Sequence, residues 1–212
     1  MNATAAGKVA GRPGSGRRAL LLGAGALLVA VATARGRGRR LDDRLFGWAN
    51  GRQHHPVLDE GFRAVTELGS LWAAVGAAGT MAAGGRRRQA ADALGAATAM
   101  WLLGQGLKRA FRRLRPYEAD LPGPRRLLIG KPQGASWPSS HPATLLAFVS
   151  VAGHDLGLGA GARAALTGLA GAVGASRVSL GVHYPADVVG GLLLGRAVAE
   201  VWSRTVSPRV LG

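Results

Sequence analysis

The stretch SRVSLGVHYPAD, residues 176–187, places an arginine, a histidine and an aspartate at the junction of two apolar segments. His183 lies in a short connection, and Asp187 follows four residues later, beyond the proline that begins the next segment. A carboxylate in the first turn of a helix can hold one ring nitrogen of a histidine while the other nitrogen faces a substrate. The pattern equally suits a His–Asp hydrogen bond that only ties two helices together.

The stretch WPSSHP, residues 137–142, precedes another apolar segment. Either Ser139 or Ser140 suits a helix N-cap, and Pro142 suits the first turn, where a missing N–H does no harm. Free backbone N–H groups at such a helix start can bind a phosphate oxygen. The alternative is an ordinary capped helix with an exposed His141.

The stretch KRAFRRLRP, residues 108–116, ends a third apolar segment with basic side chains. Lys108 and Arg115 can direct two cations at one phosphoryl group, and arginine offers two parallel donors. The alternative is a collar of charges that faces water or lipid headgroups. By itself this stretch favours the collar.

The elements that position these residues are helical by pattern. Strand-like alternation is absent, and small residues recur at spacings that allow close helix contact. We predict an all-α membrane bundle of about six transmembrane helices. The six apolar segments are Ala19–Ala34, Val65–Ala83, Ala90–Leu107, Pro142–Leu158, Ala164–Leu180 and Ala186–Trp202. The first could instead be a cleaved signal peptide, but we prefer an anchor.

A cytoplasmic N-terminus would bring all three stretches to one membrane face, the periplasmic or extracellular one. The basic loops do not divide between the two sides as the positive-inside rule expects. We expect a basic, flexible tail over residues 1–18, a membrane-embedded domain over 19–205 and a short C-terminal tail over 206–212.

The charge balance indicates which classes of binding partner suit the chain. Lys and Arg number 27 against 11 Asp and Glu, a formal net charge of +16, but the basic residues form short clusters without interleaved aromatics. This pattern favours membrane lipids and a phosphorylated lipid substrate over nucleic acid. The chain has no cysteine, which excludes disulfides and thiolate metal sites. We expect no metal and no cofactor; oligomeric state cannot be predicted from the sequence.

In order and spacing, the three stretches resemble the motifs of the type 2 phosphatidic acid phosphatase / vanadium haloperoxidase superfamily, in its six-helix membrane branch. The resemblance implies that His183 attacks phosphorus and that Asp187 orients its ring. It implies that His141 protonates the leaving oxygen and then activates water. The residues it implies for phosphate binding are Lys108, Arg115, Ser139, Ser140 and Arg177.

One residue departs from the family pattern, since Ser140 stands where the family usually has glycine. Serine keeps the backbone N–H but adds a side chain and disfavours a positive φ. We expect a metal-independent lipid phosphatase in a bacterial plasma membrane, acting on a phosphomonoester or pyrophosphate. Undecaprenyl pyrophosphate, phosphatidic acid and phosphatidylglycerol phosphate all suit. The alternatives are a vanadate-dependent haloperoxidase and a non-catalytic lipid-phosphate-binding protein.

Overall fold

The computed structural model describes residues 15–51, 55–121, 123 and 125–211. Secondary structure over these residues is entirely helical, which confirms the predicted all-α class. Of the predicted N-terminal tail, residues 1–14 lie outside the described part, and the first helix begins at Ser15. The helices are α1 (Ser15–Ala32), α2 (Gly36–Asn50), α3 (Pro56–Glu67), α4 (Leu71–Ala83), α5 (Arg87–Phe111), α6 (Ser140–Asp155), α7 (Ala160–Ser179), α8 (Pro185–Thr205) and α9 (Ser207–Leu211).

Five of the six predicted apolar segments each fall on one helix, namely α1, α5, α6, α7 and α8. The prediction of one continuous segment over Val65–Ala83 is wrong. α3 ends at Glu67, and Ser70 caps α4 by accepting a hydrogen bond from the N–H of Ala73 at 3.0 Å. The residues at the break pack closely on α6, since a Cβ atom on Gly69 would lie 2.8 Å from the Cβ of His141.

Helix α2 was not predicted, because its sequence mixes arginines and aspartates with apolar residues and contains no apolar run. The helix is amphipathic: Asp42, Phe46 and Asn50 are buried on one face, while Leu41 and Leu45 are exposed. Its buried face therefore carries two polar residues into the bundle.

The described helices can be compared with the length and hydropathy that a membrane span requires. Among the described helices, none is by itself both long and apolar enough to cross a bilayer. α1 and α2 meet that requirement only together, as a pair bent by 92°. The predicted number of six spans is therefore not confirmed.

Helix α6 lies at the centre of the bundle, against α5, α7 and α8, and α8 also packs along α1. Glycines allow the backbones to approach closely. A Cβ atom on Gly195 of α8 would lie 2.4 Å from the carbonyl oxygen of Ala143 in α6. Likewise, a Cβ atom on Gly174 of α7 would lie 2.3 Å from Val188. Small residues thus set the distances between the helices that carry the three sequence motifs.

One end of the bundle holds the start of α1 and helix α9. Arg18 of α1 pairs with Glu200 of α8 at 3.7 Å, and Arg88 donates to the backbone oxygen of Leu211 at 3.2 Å. Helix α9, within the predicted C-terminal tail, packs on α5 and α8. The three motifs lie at the opposite end.

At that opposite end, the connection between α5 and α6 is fixed to its neighbours by Asn50 of α2. The Asn50 side chain accepts from the N–H of Arg126 at 2.8 Å and donates to the carbonyl oxygens of Arg126 and Ser179, each at 2.9 Å. The N–H of Leu128 donates to the carbonyl oxygen of Leu180 at 3.2 Å. The connection is thus held against the α7–α8 turn that contains His183.

We expect Gly195→Ala to destabilise the protein by about 1–3 kcal/mol, because the new methyl group would overlap the backbone of α6. Gly79→Ala is the matched control, since a Cβ atom there has nothing within 4 Å. The control should be neutral or stabilising, by up to about 1 kcal/mol, because alanine favours a helix interior. Thermal unfolding in detergent measures both, and equal melting temperatures would contradict the close α6–α8 packing.

Candidate active site

His183 lies in the turn between α7 and α8, with 1% of its surface exposed. Its N–H donates to the carbonyl oxygen of Arg177 at 3.3 Å. The turn depends on Gly181, which has φ +85° and whose Cβ atom would lie 1.9 Å from the carbonyl oxygen of Arg126. A side chain at position 181 would therefore strain the backbone and displace the loop. The histidine is held by backbone contacts on both sides of the turn.

Asp187, in the first turn of α8, is fully buried beside His183. Its Oδ2 accepts from the N–H of Tyr184 at 2.8 Å and from the Ser136 hydroxyl at 2.5 Å. The same oxygen lies 3.5 Å from Nδ1 of His183. The structure thus brings the predicted histidine and aspartate together. Ser136, which belongs to the α5–α6 connection, links that connection to the carboxylate.

Arg115 approaches the histidine from the other side. Its Nη1 donates to the carbonyl oxygen of Val182 at 3.0 Å and lies 3.4 Å from Nε2 of His183. Its Nε donates to the carbonyl oxygen of Gly134 at 2.8 Å. Because these carbonyls orient the guanidinium, Nε2 faces a fixed cation while Nδ1 faces a carboxylate. An anion bound at Nε2 would meet Arg115.

Burial lowers the pKa of His183 well below its usual value of 6.5, and the positive charges of Arg115, Arg177 and Lys108 lower it further. Each of these effects disfavours the imidazolium. His183 is therefore a neutral imidazole at neutral pH, with a lone pair available on one ring nitrogen. The three predicted cations thus all lie near His183.

The N-terminus of α6 closes the site. Ser139 is the N-cap, and its backbone N–H donates to the backbone oxygen of Asp187 at 3.0 Å. Ser140 begins the helix, and its φ is not positive, so the residue that departs from the family pattern imposes no backbone strain. Its hydroxyl lies against Gly104 of α5, where a Cβ atom would come within 3.2 Å. A small residue on α5 thus makes room for the serine.

Several buried donors at this point have no protein acceptor among the described residues. The hydroxyls of Ser139 and Ser140 and the Nε of Arg177 are unpaired, although Arg177 also donates to Thr66 at 3.1 Å. Unpaired buried donors beside three cations suit an anion with several oxygens. The arrangement can bind a phosphoryl group.

Sequence patterns missed four residues around this site. Arg113 donates to Asp187 at 2.8 Å and to Asp42 at 2.5 Å. Ser136 contacts Asp187, and Thr66 contacts Arg177. The spacing of the motifs gives no sign of them. Asp42 offered the only hint, as an acidic residue within a run of arginines.

In the part of the chain that the structure describes, no three His, Cys, Asp or Glu side chains are grouped as metal ligands would be. His154 contacts Asp155 at 3.2 Å, at the far end of α6 from His141.

Comparison with known proteins agrees with the motifs. Decaprenylphosphoryl-5-phosphoribose phosphatase of Mycolicibacterium smegmatis is 32% identical over 139 residues, which are 64% of this chain and 72% of that protein. The transmembrane PAP2-type phosphatidylglycerolphosphate phosphatase from Bacillus subtilis has a similar structure, with a TM-score of 0.76 at 23% identity, over 88% of this chain and 94% of that one.

The structure of LpxE from Aquifex aeolicus is also similar, with a TM-score of 0.67 at 27% identity, over 76% of this chain and 93% of that one. The sequence model of the PAP2 superfamily matches residues 89–210, which include all three motifs. The chain therefore belongs to the PAP2 superfamily.

Proposed function

We propose that this protein is a membrane phosphatase that removes phosphate from a lipid through a phosphohistidine on His183. The observation that carries the proposal is the environment of His183: a neutral imidazole, with Nδ1 toward Asp187 and Nε2 toward Arg115. A nucleophile for phosphoryl transfer needs an unprotonated nitrogen, an oriented ring and cations around the transferred group. His183 has all three.

In the proposed reaction, Nε2 of His183 attacks phosphorus and the bond to the leaving oxygen breaks. His141 donates a proton to that oxygen. Water then attacks the phosphohistidine, His141 takes a proton from the water, and the P–N bond breaks to release phosphate. Lys108, Arg115 and Arg177 offset the charge of the phosphoryl oxygens. A bound phosphate also favours the protonated form of His141, because it adds negative charge beside the ring.

The lipid part of the proposal is supported by exposed apolar side chains. Leu20 and Leu28 of α1 are 77% and 68% exposed, and Trp72 of α4 is 83% exposed. Apolar surface of this extent is typical of contact with lipid or another protein. The solved structure from Bacillus subtilis is described as a transmembrane phosphatase, and the Mycolicibacterium smegmatis relative acts on a polyprenyl lipid. We therefore propose that the hydrocarbon tail of the substrate lies in a bacterial plasma membrane.

We further propose that the site faces the periplasm or the cell exterior. Arg18 and Arg88 lie at the end of the bundle opposite His183. This proposal rests on a cytoplasmic N-terminus and not on the distribution of charge, since basic residues lie at both ends of the bundle. The site at the other end then faces outward.

The substrate proposal is tested by phosphate release from detergent-purified protein in EDTA. The panel holds decaprenylphosphoryl-5-phosphoribose, undecaprenyl pyrophosphate, phosphatidic acid and phosphatidylglycerol phosphate. We expect turnover of at least one lipid, and a loss of about 10⁴-fold or more in His183→Ala, because the nucleophile is gone.

His154→Ala is the matched control, since His154 lies at the other end of α6, and it should keep parental activity. Activity that EDTA abolishes and a divalent ion restores would contradict metal independence. Turnover of no lipid would favour a non-catalytic lipid-phosphate-binding protein. Halide oxidation with vanadate, without phosphate release, would favour the haloperoxidase.

The role of His141 is tested with two leaving groups. His141→Ala should slow turnover of an alkyl lipid phosphate about 10²- to 10⁴-fold, because the departing alkoxide needs a proton. With p-nitrophenyl phosphate, whose phenolate leaves without that proton, the variant should release a burst of about one nitrophenol per enzyme, followed by slow turnover. An equal loss on both substrates without a burst would contradict the role of His141.

The low pKa of His183 predicts the pH dependence of kcat/KM. Since the neutral ring is the nucleophile, activity is present above the pKa and is lost as the pH falls through it. The acid limb that belongs to His183 should therefore lie well below pH 6.5, its usual value. The pH profile of kcat/KM is corrected for ionisation of the substrate's phosphate, which ³¹P NMR measures in the same micelles. A remaining acid limb centred at or above pH 6.5 would contradict this environment.

A further inference from the structure

The carboxylate of Asp187 is held by a residue that the family motifs do not include. Arg113 donates from Nη1 to Oδ1 of Asp187 at 2.8 Å. The other oxygen of Asp187 accepts from Tyr184 and Ser136 and faces His183. Arg113 is therefore the cation paired with the carboxylate that orients the proposed nucleophile.

The second arm of Arg113 extends to helix α2. Its Nη2 donates to Oδ2 of Asp42 at 2.5 Å, and Asp42 is 3% exposed. The remaining oxygen of Asp42 accepts from the N–H of Ala186, in the first turn of α8, at 2.9 Å. The Arg113 guanidinium also lies 4.2 Å from the centre of the Tyr184 ring. Three contacts thus fix the guanidinium between α2 and α8, and a fourth, from Ala186, holds its partner Asp42.

This geometry has a charge reason. A buried carboxylate stays ionised only when it is paired and hydrogen-bonded. The planar fork of arginine can serve two carboxylates at once, whereas a lysine ammonium cannot span both in the same geometry. Asp42 and Asp187 face each other across this fork. Loss of Arg113 would leave two buried carboxylates facing each other without a cation between them.

We propose that Arg113, held in place by Asp42 of α2, is a positioning residue that keeps Asp187 ionised and aimed at His183. The inference rests on the proposed function, because it concerns the same reaction. It adds a dependence of the catalytic histidine on α2, a helix outside the span that the family model matches. The other titratable or charged groups that face Asp187 are His183, Tyr184, Lys108 and Arg115.

The first test compares Arg113→Met and Arg113→Lys, in the full-length protein, on p-nitrophenyl phosphate and phosphatidic acid. We expect kcat to fall about 10- to 100-fold in Arg113→Met with KM within about threefold, because the nucleophile is misaligned while the phosphate cations remain. Arg113→Lys should recover only part of that loss. Arg109→Ala, a change to an exposed arginine four residues earlier, should leave both constants unchanged.

The second test is chemical rescue. Arg113 borders a cavity of about 180 Å³ at the bend between α1 and α2, also lined by Arg39 and Leu114. Guanidinium ion should therefore enter Arg113→Ala and restore a measurable part of kcat. It should not restore Asp187→Asn, in which the carboxylate itself is missing.

A third measurement separates positioning from folding. In a thermal double-mutant cycle, Asp42→Asn and Arg113→Met should lower the melting temperature less together than the sum of their separate effects, because they remove one interaction. The inference is overturned if Arg113→Met keeps parental kcat, or if its loss of activity follows its loss of folded protein and guanidinium rescues nothing. If the proposed function itself is wrong, the parent protein will release no phosphate. That result differs from a failure of Arg113 alone, and it would also overturn the positioning role.

Discussion

Much of this structure follows from the need to give hydrogen-bond partners to one fully buried carboxylate, that of Asp187, beside the imidazole of His183. Burial alone would drive a carboxylate toward its protonated form. Here the carboxylate accepts hydrogen bonds from a guanidinium and a hydroxyl of the α5–α6 connection and from a backbone N–H at the start of α8. The helices of the bundle can be understood as the supports that bring those three donors to one point.

The same constraint accounts for the different partners of the two arginines beside His183, Arg113 and Arg115. Arg113 lies on the Asp187 side of the histidine and is occupied by carboxylates. Arg115, two residues later, lies on the Nε2 side and is held by backbone carbonyls. Carbonyl oxygens orient a guanidinium without neutralising it, so Arg115 keeps its positive charge for an incoming anion. One basic stretch therefore serves two roles, structural on one side of the ring and electrostatic on the other.

The sequence alone predicted the all-α class, five of the helices and the three motifs, because helix period and motif spacing are local properties. It did not predict the break at Gly69, since the average hydropathy of that segment conceals both the Ser70 cap and the contact with His141. It also missed α2, Asp42 and Arg113. These residues act through contacts between distant parts of the chain, and no fixed spacing connects residue 42 with residue 187.

The central claim is that phosphorus becomes bonded to Nε2 of His183 during turnover. The most direct measurement is a rapid alkaline quench of the His141→Ala protein with p-nitrophenyl phosphate, followed by peptide mass spectrometry, since phosphohistidine survives alkali and is lost in acid. The account predicts one phosphate on the peptide that contains His183, absent after acid treatment and absent from His183→Ala. Phosphate on another residue, or nitrophenol release with no phosphorylated peptide at any quench time, would contradict it.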